Sequence, residues 1–340
     1  MSLFKLRGTL RKRTAILLGL AGMAVVLLLW MLLTAGENPI FPAYILPKPG
    51  RVLTAFGDLY ADNDIIRNTC LSIGLNLAGY IVAILVALPI GFTVGLFPIF
   101  RGAFQWQIDA IRYIPLTAVT GLFIVWFGTG ASMKVNFLAF GILIYILPMV
   151  VLRINEVKDV YLKTVYTLGA SNWQTIKTVY IPSVLSRISD DIRVLTAISW
   201  TYIIVAESID NTGGIGGLIW RVGIRQGRVD KVFAMLIIIV LFGILQDRVF
   251  VAIDRKLFAF KYDARNPHEI KETTTTADLI LNYLRTSGMW ILIGIYALLF
   301  VDCFIPILGN ESVLPYLFGK TVWAIHFILL SVVAYTIGSW

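Results

Sequence analysis

Gly213, Gly214, Gly216 and Gly217 form the one glycine cluster in this sequence that could bring backbone amides onto a phosphate. No strand pattern precedes them and the third glycine of a GxGxxG fingerprint is missing, so they do not make a dinucleotide site. Gly319-Lys320-Thr321 resembles the end of a phosphate loop, but the first glycine of that motif falls on Leu314 and the tripeptide sits between two apolar runs. The chain therefore does not bind ATP in the P-loop manner. Metal chemistry needs clustered ligands, and Cys70, Cys303, His268 and His326 are scattered through unrelated segments. No metal site and no catalytic constellation of nucleophile, base and acid is present. What remains is the chemistry of moving something: an acid, Glu207, just before the glycines, and Arg221, Arg225 and Arg228 just after them. Arginines at i,i+4 on a half-buried helix raise the local concentration of an anion, and they equally suit lipid headgroups or a binding protein.

The elements that position these residues are apolar. With 58% hydrophobic and 14% charged residues and a mean hydropathy of +0.81, the 340-residue chain is too apolar for a soluble globular protein. Its net charge of +9 is spread between apolar runs instead of forming one basic patch, which fits membrane orientation and excludes nucleic acid as a partner. Lys5, Arg7, Arg11, Lys12 and Arg13 precede an apolar run from Ala15 to Leu33, long enough for the roughly 20 residues a bilayer core requires. This is a retained signal-anchor with the N-terminus inside. Further spans are predicted over 65–97, 115–128, 135–152, 194–208 and 232–253, with two more over 289–308 and 322–338. The fold class is thus an all-α polytopic membrane protein of about eight transmembrane helices. Its organisation divides into a basic N-terminus with the first helix (1–36), an outside lead-in (37–64), a core (65–255), an inside linker (256–288) and a C-terminal hairpin (289–340). Within the linker, Ala277–Arg285 forms an interfacial helix. Asp302 and His326 lie at membrane depth in the hairpin, as functional groups or as partners in an inter-helix hydrogen bond.

One polar island, 157–193, interrupts the apolar runs and carries Arg153, Lys158, Lys163, Lys177, Arg187 and Arg193 in or beside it, which places it inside. Tyr161, Val165 and Leu168 share one face of a short amphipathic helix, and Asp159 with Lys163 has ion-pair spacing. Gly169 turns the chain, Ser171 with Gln174 forms a capping box for a second helix, and Trp173, Ile176 and Tyr180 give that helix its own face. Pro182 is expected to end it.

The order Gly169, Ala170, Ser171 and then Val179, Tyr180, Ile181, Pro182 resembles the cytoplasmic "EAA" loop of ABC importer permeases. The Glu-Ala-Ala that names the loop is replaced by Lys163, Thr164 and Val165. Leu46-Pro47-Lys48-Pro49 is similar to the segment preceding the core in the nitrate, sulfonate, taurine and bicarbonate branch of these permeases. Pro115, the run from Trp126 to Gly130, and Pro148 resemble that family's core series, and Ala206-Glu207 with Gly214-Ile215-Gly216 resembles its outer gate. The resemblance covers roughly residues 41 to 260, so the C-terminal hairpin stands outside it.

The resemblance implies a type I permease subunit in a bacterial inner membrane, working beside a second permease copy or homologue. It implies two ABC ATPase subunits that carry ATP and magnesium, so that this chain binds no cofactor, and a periplasmic or lipid-anchored solute-binding protein. Lys163, Gly169, Ala170, Ser171, Trp173, Gln174, Ile181 and Pro182 are then the ATPase-coupling residues. Trp126, Trp200, Glu207, Gly214, Gly216, Arg221 and Arg225 are the pathway and gate residues. For Glu207 an ion pair with a nearby arginine is an equal alternative. Substrates of the branch are mostly small anions such as nitrate, bicarbonate, sulfonates or taurine, with some neutral vitamin precursors. A different class, an ion-coupled transporter or channel without an ATPase, requires paired broken helices in two repeat halves, and no internal repeat is visible.

Overall fold

The computed structural model describes residues 12–209, 212–263, 292–306, 308 and 311–338. The expected basic N-terminus up to Arg11, the linker from 264 with its interfacial helix, and His268 lie outside the described residues. The chain divides into two compact units, one of residues 1–64 and 219–238 and the other of 65–218 and 239–340.

In the first unit, α1 (Lys12–Leu33) is apolar on every side and exposes nearly all of its side chains, as a lipid-facing span does. Trp30 near its end donates an indole hydrogen bond to the Pro47 carbonyl at 2.9 Å and tilts against Phe233. The proline-rich lead-in delivers α2 (Pro49–Asp62) with Pro49 in its first turn, where a missing N–H costs nothing. Val52, Ala55 and Leu59 form its buried stripe. Asp58 pairs with Arg228 at 2.7 Å, and Lys231 donates to Asn63 at 2.9 Å.

The second unit is built on three long helices: α3 (Ile65–Leu96), α6 (Ala131–Asn155) and α9 (Ile181–Ile209). Glycines on α3 let α6 approach closely. A β-carbon on Gly79 would stand 2.7 Å from a Leu138 methyl, and one on Gly91 2.6 Å from Val150 Cβ. These small residues replace the hydrophobic driving force that lipid removes. α11 (Val229–Leu257) contributes its first part to the first unit and the rest to the second.

Two expectations are corrected. The span predicted at 115–128 is the second arm of a bent pair, α4 (Pro98–Ile111) followed by a 3₁₀ turn (Leu116–Val119) and α5 (Thr120–Phe127), which meet at 95°. Pro115 forces the residue before it out of the helical region, and Gly128 at φ +70° ends the second arm. Nor does Pro182 end its helix. α8 (Asn172–Thr175) passes through a π-helical turn (Ile176–Tyr180) straight into α9, so one helix runs from Asn172 to Ile209. Pro182 removes one backbone donor and crowds the preceding turn, and the wider π turn absorbs both effects.

Among the described residues six helices are long and apolar enough to cross a membrane, or seven if the bent pair is one span. The protein is all-α and multi-pass. The first arm of the C-terminal hairpin is described only as α13 (Leu292–Asp302); α14 (Val313–Phe318), a 3₁₀ turn (Gly319–Thr321) and α15 (Val322–Gly338) follow. Asp302 is buried and accepts the Leu308 and Val313 amides at 3.0 and 2.8 Å, so it ties those two residues to the end of α13. His326 meets the Tyr296 hydroxyl at 3.0 Å.

Candidate functional site

The polar island folds from local signals. α7 (Asp159–Thr167) ends in a Schellman motif: the Gly169 amide donates to the Tyr166 carbonyl, the Ala170 amide to Val165, both at 3.0 Å, and Gly169 has φ +77°. The capping box then forms as the sequence predicts, with the Gln174 amide donating to Ser171 Oγ at 3.4 Å and the Ser171 amide to Gln174 Oε1 at 2.8 Å. Between the two motifs the chain turns without leaving a helix end unsatisfied. The faces differ from the predicted ones, because Leu162 and Val165 pack on the core while Tyr161 and Leu168 stay outside. Leu168 is 82% exposed and Trp173 68%. Asp159 and Lys163 make no ion pair; both side chains remain solvated.

Charged residues lock the base of this element. Arg153 at the end of α6 makes a two-pronged pair with Asp191 on α9, at 2.8 and 2.7 Å, and reaches Glu156 at 2.8 Å. Arg187 closes the group on Glu156 at 2.9 Å. The hydrogen bonds from Arg153, then Arg187, hold the Glu156 carboxyl below its ordinary pKa. Nearby, Arg193 pairs with Asp247 on α11, and Asp254 accepts from Lys261 at 3.1 Å, from Tyr262, and from Ser189.

Glu207 lies at the far end of the same helix. It is completely buried, and its oxygens accept from Ser72 Oγ at 2.7 Å and from the Gly216 amide at 2.8 Å. Among the described residues no arginine pairs with it, so the ion-pair alternative fails there. Asn68 Oδ1 accepts the Gly214 amide at 2.8 Å and Ser72 Oγ accepts the Ile215 amide at 2.9 Å. These contacts fold the glycine loop and α10 (Ile215–Leu218) onto α3 and α9. A β-carbon on Gly214 would enter the Glu207 carboxylate, and its φ of +98° already favours glycine. Lys134, 2% exposed, donates to Thr212 Oγ1 at 3.0 Å and to the Gly213 carbonyl at 3.2 Å. A buried acid and a buried base thus hold one irregular loop, as backbone at membrane depth requires.

The remaining predicted residues are placed separately. Trp126 is exposed on α5 and leans on Phe123, whereas Trp200 is buried and donates its indole N–H to Gln246 at 3.0 Å. Arg221 lies in a π turn (Ile219–Ile224) and Arg225 just after it, both in the first unit. Sequence reasoning missed Lys134, Asn68 and Ser72. A lysine at the head of an apolar run was the available signal for Lys134. Asn68 and Ser72 carried none, being short polar residues one turn apart.

Residues 79–259 match the family described as the binding-protein-dependent transport system inner membrane component. A protein of Bacillus subtilis (strain 168), named as an aliphatic sulfonates transport permease, is 28% identical over 74% of this chain and 90% of its own length. The taurine transport system permease protein TauC of Escherichia coli (strain K12) is 25% identical over 71% of this chain and 88% of its own. Among solved structures, an inward-facing form of the MetNI methionine ABC transporter has a TM-score of 0.50 at 16% identity, covering 57% of this chain and 95% of that one, a likeness of fold.

Proposed function

The chain belongs to the family of binding-protein-dependent transport system inner membrane components, and from that premise we propose how its geometry works. It is the membrane-spanning permease subunit of an ABC importer. In our reading two such subunits, identical or homologous, enclose the pathway, and a periplasmic or lipid-anchored binding protein delivers the solute. The motor is a separate ATPase that holds ATP and magnesium, none of which this chain binds.

The observation that carries the reading is the single helix from Asn172 to Ile209. Its first turn, with the exposed Trp173, and the exposed Leu168 at the end of α7 form the surface an ATPase groove takes up. Its last turn carries Glu207. The rise between the two residues is roughly 50 Å. ATPase closure moves the coupling end, and the Arg153–Glu156–Arg187–Asp191 group carries α6 along with α9. A tilt of that rod at one end displaces Glu207 beneath the glycine loop at the other, which then acts as the outer gate. The N-terminus lies on the ATPase side. Lys163, at a position where the family presents glutamate, faces an acidic patch on its ATPase.

We assign the substrate to small anions of the sulfonate class, as the names of the two relatives suggest. Arg221 and Arg225 concentrate such an anion at the entrance. The test is reconstitution of the chain with its co-purified partners and ATP-driven uptake of labelled taurine. Uptake that is lost on Gly169→Pro supports the reading. Preparations that never retain an ATPase, together with intact uptake by Gly169→Pro, overturn it.

A further inference from the structure

The C-terminal segment lies outside residues 79–259, the stretch shared with the family, yet it packs on the helix that holds the glycine loop. Arg67, Leu71 and Gly74 follow one another at i, i+4 and i+7 on α3 and form the stripe facing the segment. Arg67 donates to the Tyr316 carbonyl at 3.2 Å and its guanidinium lies 4.8 Å from the centre of the Tyr316 ring. The buried Thr321 fills the notch left by Gly74, where any β-carbon would strike its hydroxyl. Asn68 and Ser72, which hold the loop, form the adjacent stripe of the same helix.

Leu71 touches both sides. A β-carbon on Gly213 of the loop would stand 3.1 Å from Leu71 Cδ1, and one on Gly319 of the C-terminal turn 3.2 Å from Leu71 Cδ2. Both glycines have positive φ, at +123° and +55°, so the backbone itself is presented to the two methyls. Beside this contact is a cavity of about 60 Å³ whose lining includes Leu71, Lys134, Gly213, Phe318, Lys320 and Thr321. Loop and C-terminal turn meet across one leucine at the edge of this cavity.

We propose that the segment Val313–Thr321 is a built-in brace on the glycine loop, and that Leu71 is the positioning residue through which it limits the loop's opening. Lifting the loop requires Leu71 to shift, and the brace bounds the small cavity into which it would move. Naming the loop a gate rests on the reading above. The brace rests on the contacts alone, and the two fail in different experiments.

Hydrogen exchange on the full chain in lipid nanodiscs tests it without a transport substrate. The amides of Gly214, Ile215 and Gly216 are held by Asn68, Ser72 and Glu207, so their exchange reports opening. Phe318→Ala combined with Thr321→Ala, and separately Leu71→Ala, each speed exchange of 212–218 by about tenfold while α6 keeps its protection. All three changes together add little, because they act through one contact. Ser331→Ala, on exposed α15, changes nothing. The proposal is overturned if the brace variants loosen 313–321 and leave 212–218 at the wild-type rate. Should α6 lose protection as well, Phe318→Leu is judged by the same criterion.

Discussion

The two ends of the helix from Asn172 to Ile209 are held in opposite ways. At the coupling end every cap closes within a few residues: Gly169 to Tyr166, Ala170 to Val165, Ser171 with Gln174. Large apolar side chains there face outward. At the other end Glu207, Ser72 and Asn68 bond across more than a hundred residues of sequence. The first end is a locally finished piece that turns apolar side chains outward; the second is a lock whose parts come from distant segments. A local element tolerates substitution of what it shows and not of how it turns. A lock tolerates neither.

The largest effect is therefore expected at Gly214→Ala, which adds a β-carbon at positive φ into the Glu207 carboxylate. The loss is about 3 kcal/mol, read as a drop in melting temperature and yield in detergent. Wild-type stability for this variant would erase the contrast between the two ends. Next comes Trp173→Ala, which weakens capture of the partner ATPase about tenfold, equivalent to about 1.4 kcal/mol. Its melting temperature stays at the wild-type value, and a fall there would mean the tryptophan belongs to the fold and not to the docking surface.

Acid sharpens the comparison from the base of the coupling element. Arg153 and Arg187 hold the Glu156 carboxyl below its ordinary pKa, so the unfolded chain takes up this proton more readily than the folded one. The stabilisation is complete above the ordinary carboxylate range and is lost as pH falls through the depressed folded value. Glu156→Gln is expected to flatten that part of the acid limb in a melting series against pH, and an unchanged limb would show that the group does not contribute. The smallest effect belongs to Ser171→Ala. It costs the start of α8 about 1 kcal/mol of local stability, visible as faster amide exchange over 172–176 with no change in global melting.

The contrast also explains what the sequence made legible. The capping box and the glycine turn are written in neighbouring residues and appear where spacing puts them, as do the spans expected at 65–97, 135–152 and 232–253, whereas the span expected at 115–128 does not. The bent pair at α4 and α5 is half hidden because Arg101, near the start of α4, and Arg112, at its C-cap, interrupt the apolar pattern on an amphipathic arm. The lock was visible only in its glycines and its acid. Asn68, Ser72 and Lys134 join it through folding, and a polar residue inside an apolar run does not announce which loop it will meet. Pro182 misled for a related reason: its effect on a helix depends on whether the preceding turn can widen.

That widening fixes an angle. The π turn at Ile176–Tyr180 takes up one residue more than an α turn, and each residue of an α-helix rotates the chain by about 100°. Relative to an uninterrupted α-helix, the face on which Trp173 stands is therefore turned by about that rotation with respect to the face on which Glu207 stands. Removing one residue from the turn would leave both ends correctly folded and aim them in directions that no longer agree.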